Sequence, residues 1–168
     1  MAWLAKSRFM AGLQCRKRLW FEVNQPLTEP FVATVPMLLG RMFDVTVQSM
    51  APGVVISREA GMPAAIAETK RAWQSFIAGG SAGVLYQAAF RAGDLAVITD
   101  ILRVAESGCA LVEVKASTSV KPEHVVDAAF QAAVLRAAKI PVDSVSIGHV
   151  DNSFVLRKVG EYGGLVFV

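Results

Sequence analysis

Between Val84 and Val150 the chain passes through three β-rich stretches, a helix-length stretch stopped by proline, and one more β-rich stretch, an order that leaves few folds open. Val84–Arg91, Leu95–Val104 and Cys109–Lys115 are separated by short connections containing Ala92-Gly93-Asp94 and Glu106-Ser107-Gly108, and turns this short join antiparallel neighbours. From about Pro122 to Ala138, Val126, Phe130, Ala133, Val134 and Ala137 supply a helical apolar face, and Pro141 prevents continuation. Val142–Val150 follows, so the third strand returns to the sheet through a helical crossover, which requires parallel pairing. A last β-like run lies at Phe154–Val159, after Asp151-Asn152-Ser153. The expected class is α/β, a mixed sheet flanked by helices.

The first half reads as helical. Ser7 can cap a helix to about Phe21, Asn24–Pro30 breaks it, and a second helix starts near Pro36 and ends at Met50 before Pro52. That second helix is apolar on most sides and is expected to be buried. A short strand at Val54–Ile56 and a helix from about Pro63 to Ala78, closed by Gly79-Gly80, complete this half. A single domain over 1–168 is expected, with a helical basic part at 1–80 and an α/β part at 81–160. The composition allows it: 54% of residues are hydrophobic, 18% are charged and the mean hydropathy is +0.44, enough to bury a core and unlike disordered chains.

The net charge of +3 is unevenly spread. Residues 1–22 hold Lys6, Arg8, Arg16, Lys17 and Arg18 against Glu22 alone, five cations to one anion, which leaves twelve cations and thirteen anions for the rest. Two cysteines, Cys15 and Cys109, cannot build a four-cysteine cluster within one chain, so no intrachain iron-sulfur centre is expected. Every apolar stretch is interrupted well before the roughly 18 residues a membrane span needs, and Met1–Ser7 does not open a signal peptide. The expectation is a cytoplasmic protein with no membrane partner. The apolar tail Gly163–Val168 offers a surface for a second copy or another protein.

One constellation carries chemistry. Glu113 and Lys115 are two apart on a strand and share a face. A two-residue turn at Glu106-Ser107 pairs position 100 with 113, and one at Ser107-Gly108 pairs it with 115; either brings Asp100 to that face. Two carboxylates and an ammonium then sit at one end of a surface otherwise made of Leu102, Val104, Cys109 and Leu111. Close carboxylates bind hard divalent cations, and a neighbouring lysine can hold a phosphate oxygen or orient an attacking water. On spacing alone, the same residues also suit a partly solvated strand end with a charge cluster.

Asp100, then Glu113-Val114-Lys115, then a helix bearing Gln131, in this order of elements, resembles the PD-(D/E)xK nuclease superfamily, particularly its RecB-type, CRISPR-associated exonuclease-like branch. The runs Lys6–Cys15, Arg18-Leu19-Trp20, Glu113–Lys121 and Ala129–Ala132 resemble an uncharacterised bacterial family within it. The resemblance implies a restriction-endonuclease-like core and a Mg²⁺- or Mn²⁺-dependent nuclease acting on DNA. It implies Asp100 and Glu113 as metal ligands with the backbone carbonyl of Val114, Lys115 as the catalytic lysine, and Gln131 as the helix residue reaching the site. Lys6, Arg8, Arg16, Lys17, Arg18 and Lys121 would engage nucleic acid. Asp44 stands at the spacing after Gly40 where RecB-type nucleases often carry His or Glu, and is either a further metal ligand or the polar edge of its helix. Gln87 replaces a glutamate often found on the first meander strand, and Leu135 a tyrosine often found after the helix glutamine. These departures keep open a second reading, a catalytically weak or inactive module that binds nucleic acid or a partner protein.

Overall fold

The computed structural model describes residues 3–25 and 33–168. Its elements are β1 (Leu4–Ala5), α1 (Lys6–Gln14), α2 (Arg16–Asn24), α3 (Val35–Ser49), β2 (Val54–Val55), α4 (Met62–Ala78), β3 (Gly83–Tyr86), β4 (Ala89–Ala92), β5 (Leu95–Ile98), β6 (Ile101–Val104), β7 (Cys109–Lys115), α5 (Pro122–Ala137), β8 (Val142–Val150) and β9 (Val166–Phe167). The fold is α/β with mixed sheets flanked by helices. A six-stranded sheet has the order β2-β3-β6-β7-β8-β9, and a three-stranded sheet has the order β1-β5-β4.

The first two expected strands are a single hairpin bent in the middle. Gly83↔Val104 through Tyr86↔Ile101 and Ala89↔Ile98 through Ala92↔Leu95 keep one register, with a two-residue turn at Gly93-Asp94. Between the halves Gln87 takes φ 56°, and the ladder is replaced by bonds from Gln87 N–H to the Asp100 carbonyl (3.1 Å) and from Thr99 N–H to the Ala88 carbonyl (2.9 Å). Two buried hydroxyls brace this bend: Thr99 donates to the Ala88 carbonyl (3.2 Å), and Thr69 of α4 accepts from Ala89 N–H (2.9 Å). The far half of the hairpin therefore swings out of the main sheet and pairs with β1, Leu4↔Leu95 and Ala5↔Ala96. The split opens a cleft at the point where Gln87 and Asp100 sit.

At the next turn, Ala105 and Gly108 exchange backbone bonds of 2.8 and 3.3 Å around Glu106-Ser107. β6 and β7 pair antiparallel from Val104↔Cys109 to Ile101↔Val112, and β7 and β8 pair parallel, as the helical crossover requires. Alternation along β7 then assigns the two faces. Leu111 packs with Leu85, Leu102, Val104, Phe130, Val134 and Leu135 under α4 and α5. Val112 and Val114 pack on the other face with Tyr86, Ile101 and Val47, against Phe43 of α3.

Three further expectations are corrected. The N-terminal helix is two helices, because Cys15 is extended (φ −162°, ψ 118°) and α2 folds back on α1 where Gly12 makes room for Leu19. A Cβ at Gly12 would lie 2.9 Å from the Leu19 Cδ2. The helix expected to be buried covers the sheet through Phe43 and Val47, while Val35, Leu38, Leu39, Met42 and Val45 are exposed. Phe154–Val159 forms no strand: Asp151 closes a turn by accepting from Ser153 N–H (2.8 Å) and Ser153 Oγ (2.7 Å), and Val155 and Val159 are exposed. The apolar tail instead contributes β9, which pairs His149↔Phe167 and Val150↔Val166. Of the break expected over Asn24–Pro30, residues 26–30 lie outside the described residues. Among the described residues no helix is long and apolar enough to cross a membrane.

The two thiols differ sharply. Cys15 is exposed and its pKa is lowered, first by hydrogen bonds from the Arg18 and Lys17 backbone N–H groups at the start of α2. Burial pushes the Cys109 thiol up to about 11. Iodoacetamide applied to the native protein is expected to alkylate Cys15 and spare Cys109 until denaturant is added; peptide mass mapping reads this, and equal labelling would contradict the packing of Cys109.

Candidate functional site

Glu113 and Lys115 alternate onto the α5 face of β7, next to Leu111. Glu113 is 0% exposed, on the face of β7 where Leu111 packs under α5. A carboxylate there needs compensation, and three chain segments supply it. Lys115 Nζ bonds Glu113 Oε1 and lies 2.6 Å from Asp127 Oδ2. Lys6 Nζ, from the first residue of α1, lies 2.9 Å from the same Glu113 Oε1 and 3.4 Å from Asp127 Oδ1. From α5, Gln131 Nε2 donates to Glu113 Oε2 and to Asp127 Oδ1 (3.0 Å). Two carboxylates, two ammonium groups and one amide close a ring.

Asp127 and Gln131 are four apart on α5 and so face the sheet together. Both are buried, 5% and 0% exposed. Both amide hydrogens of Gln131 are used by the carboxylates, which leaves its Oε1 buried with no hydrogen-bond partner. α1 is fixed against α5 independently by Phe9 stacked on Phe130, ring centroids 4.3 Å apart.

Asp100 stands one residue before β6, at the bend of the hairpin. Continuing the β6–β7 register from Ile101↔Val112 sets it across from Glu113. Its Oδ2 accepts the Val114 N–H at 2.8 Å, in place of a ladder bond. Asp100, Asp44, Gln87, Lys6 and Arg58 line the cleft at the sheet split, about 310 Å³ in volume. Burial raises the Asp44 pKa, the charge of Glu113 adds to this, and Lys6, Lys115 and Arg58 oppose it. Lys6 and Lys115 are both held above the ordinary lysine value. Burial is the largest single influence and works against their charge, but the carboxylates together outweigh it: Glu113, Asp100 and Asp127 for Lys6, Glu113 and Asp127 for Lys115.

Asp100, Glu113, Lys115 and Gln131 thus fall within one connected region, with Asp44 on the cleft side. The site also contains two groups that the spacing did not single out as participants. Asp127 lies between His124 and Gln131 at i, i+3 and i+7 of α5, a polar stripe beside the apolar face, but nothing on that helix alone says the stripe meets a buried strand carboxylate. Lys6 belongs by sequence to the basic N-terminal cluster, and only the tertiary fold turns it inward. Among the other basic residues, Arg8 donates to the Trp3 carbonyl (3.1 Å), and Arg18 pairs with Glu22 (2.8 Å) on the surface. Arg16, Lys17 and Lys121 are exposed. Arg18 lines a groove between α1 and the start of α5 with Glu123 and Pro122, the neighbour of Lys121. Among the described residues no three His, Cys, Asp or Glu side chains converge in metal-ligating geometry.

The arrangement joins a buried charge ring to an open polar cleft, with Lys6 common to both. The chain matches no protein-family model and no curated protein sequence.

Proposed function

We propose that this chain is a Mg²⁺- or Mn²⁺-dependent nuclease with a restriction-endonuclease-like core, hydrolysing DNA phosphodiester bonds. The observation that carries this reading is the junction at the end of β7. A fully buried glutamate is bonded to the lysine two residues on and to Gln131 of the crossover helix, and Asp100 holds the backbone of the residue between them. The donor chemistry fits the cation. Asp100, Glu113 and the Val114 carbonyl offer only hard oxygen, with Asp44 on the cleft wall as a further carboxylate. Around the site four carboxylates, Asp44, Asp100, Glu113 and Asp127, stand against Lys6, Lys115 and Arg58, an excess of one negative charge. A bound cation would polarise the phosphoryl group and acidify water. Lys115 would orient that water or hold a phosphate oxygen, and the exposed Arg16, Lys17, Arg18 and Lys121 would meet the DNA backbone.

A second reading has its own supporting observation. Both oxygens of Glu113 already receive N–H donors, from Lys6, Lys115 and Gln131, and the cleft carries neutral Gln87 rather than a further acid. A module with this arrangement could bind nucleic acid or a protein without cleaving.

Incubating end-labelled single- and double-stranded DNA with the protein and Mg²⁺, Mn²⁺ or EDTA separates the two. Asp100→Asn is the informative variant, because among the described residues the Asp100 side chain accepts a single hydrogen bond and the residue is only half-buried. Metal-dependent cleavage that falls by about 10²-fold or more in Asp100→Asn is the expected result. No cleavage with either metal rejects the nuclease. Salt-sensitive DNA binding lost on replacing Arg16, Lys17 and Arg18 by alanine would then favour the binding module.

A further inference from the structure

The cleft and the buried ring meet at one side chain. Glu113 is shut off from solvent, its side chain 1% exposed, while the Lys6 side chain is 28% exposed and lines the cleft with Asp44 and Asp100. Each carboxylate oxygen offers two lone pairs. On Glu113 Oε1 both are taken, by Lys6 and Lys115, and Oε2 receives Gln131. Oε1, the oxygen bonded to the cleft-lining Lys6, is therefore open to a cation arriving from the cleft only at a position that an ammonium holds.

The two ammonium groups are not held alike. Lys115 contacts Asp127 at 2.6 Å and bonds Glu113 closely, whereas Lys6 reaches the same carboxylates at 3.4 and 2.9 Å. Lys115 is absent from the cleft lining and Lys6 is part of it. Lys6 is also expendable to the placement of its helix, since Phe9 stacks on Phe130 and Leu4–Ala5 pairs with β5. Its side chain can leave the ring while α1 stays in place.

We propose that Lys6 is the exchangeable one of the two cations on the Glu113–Asp127 pair and the plug between the cleft and the ring. A divalent cation binds Glu113 by exchange with the Lys6 ammonium, which moves into the cleft toward Asp44 and Asp100. This rests on the reading of the site as a divalent-metal centre and adds how its loading is controlled. Lys6 is in this account a positioning and gating residue, and Arg16, Lys17 and Arg18 of α2 are left to face the nucleic acid.

The test is direct Mn²⁺ binding, followed by the electron paramagnetic resonance of the free ion, for wild type, Lys6→Met and Lys6→Arg. Lys6→Met is expected to bind Mn²⁺ at least about tenfold more tightly than wild type, with Lys6→Arg no tighter than wild type. A second measurement needs no variant: acetylation of Lys6 by a water-soluble active ester, read by mass spectrometry, is expected to rise several-fold when Mn²⁺ replaces EDTA. Equal Mn²⁺ affinity in wild type and Lys6→Met, or Lys6 acetylation indifferent to bound Mn²⁺, overturns the exchange and leaves the metal centre standing. If neither wild type nor Lys6→Met binds Mn²⁺, the metal centre and the exchange fall together.

Discussion

Replacing Glu113 by alanine is expected to lower the unfolding free energy by about 3–5 kcal/mol, the range for removing one partner from a buried ion pair. In a chain of this size that corresponds to a fall of about 6–20 °C in Tm. The cost comes from what remains. Lys6 and Lys115 would be left with Asp127 as their nearest common carboxylate, and Gln131 would lose one of its two acceptors. The surrounding layer of Leu111, Leu102 and Leu135 has nothing polar to offer in exchange. Glu113→Gln should cost less, since its amide oxygen can still accept from the lysines. The sharper check is the pair Glu113→Leu with Lys6→Met, which removes one charge of each sign and leaves Lys115 bonded to Asp127. Urea unfolding followed by circular dichroism should show the double variant more stable than Glu113→Leu alone, a coupling of the kind found for contacting residues. Strict additivity would mean that Lys6 and Glu113 do not depend on each other.

That dependence marks the boundary between what the sequence makes legible and what it does not. α3, α4, α5, β7 and β8 lie within a few residues of where periodicity, proline and glycine place them, because each is fixed by local chemistry. Parity also carried through the second meander turn: Glu106-Ser107 pairs as a two-residue turn, and the register that follows sets Asp100 across from Glu113. The bend at Gln87 and Asp100 was hidden, since Val84–Arg91 and Leu95–Val104 both read as unbroken strands. What bends them is tertiary: Thr69 comes from α4, about twenty positions away, to satisfy the Ala89 N–H at the break. Lys6 reads as part of the basic N-terminal cluster for the same reason. Composition and spacing report that a cation exists; a contact 107 positions along the chain decides that it meets Glu113.

Lys115→Ala is expected to reduce metal-dependent DNA cleavage by about 10²–10⁴-fold, the range for loss of a general acid–base group. On its own that result is ambiguous, because Lys115 is also the counter-charge of Glu113 and Asp127 and its removal loosens the ring. Lys115→Arg resolves the two roles. Arginine keeps the positive charge and can bridge two carboxylates, but its planar guanidinium does not give up a proton and places its donors differently from an ammonium. If Lys115 acts on the attacking water or a phosphate oxygen, Lys115→Arg should recover most of the lost stability while cleavage stays low. If its contribution is only to neutralise the carboxylates, Lys115→Arg should recover both together. Measuring Tm and single-turnover cleavage on the same three preparations distinguishes these outcomes, and a Lys115→Arg protein that cuts DNA as fast as wild type would remove Lys115 from the chemistry.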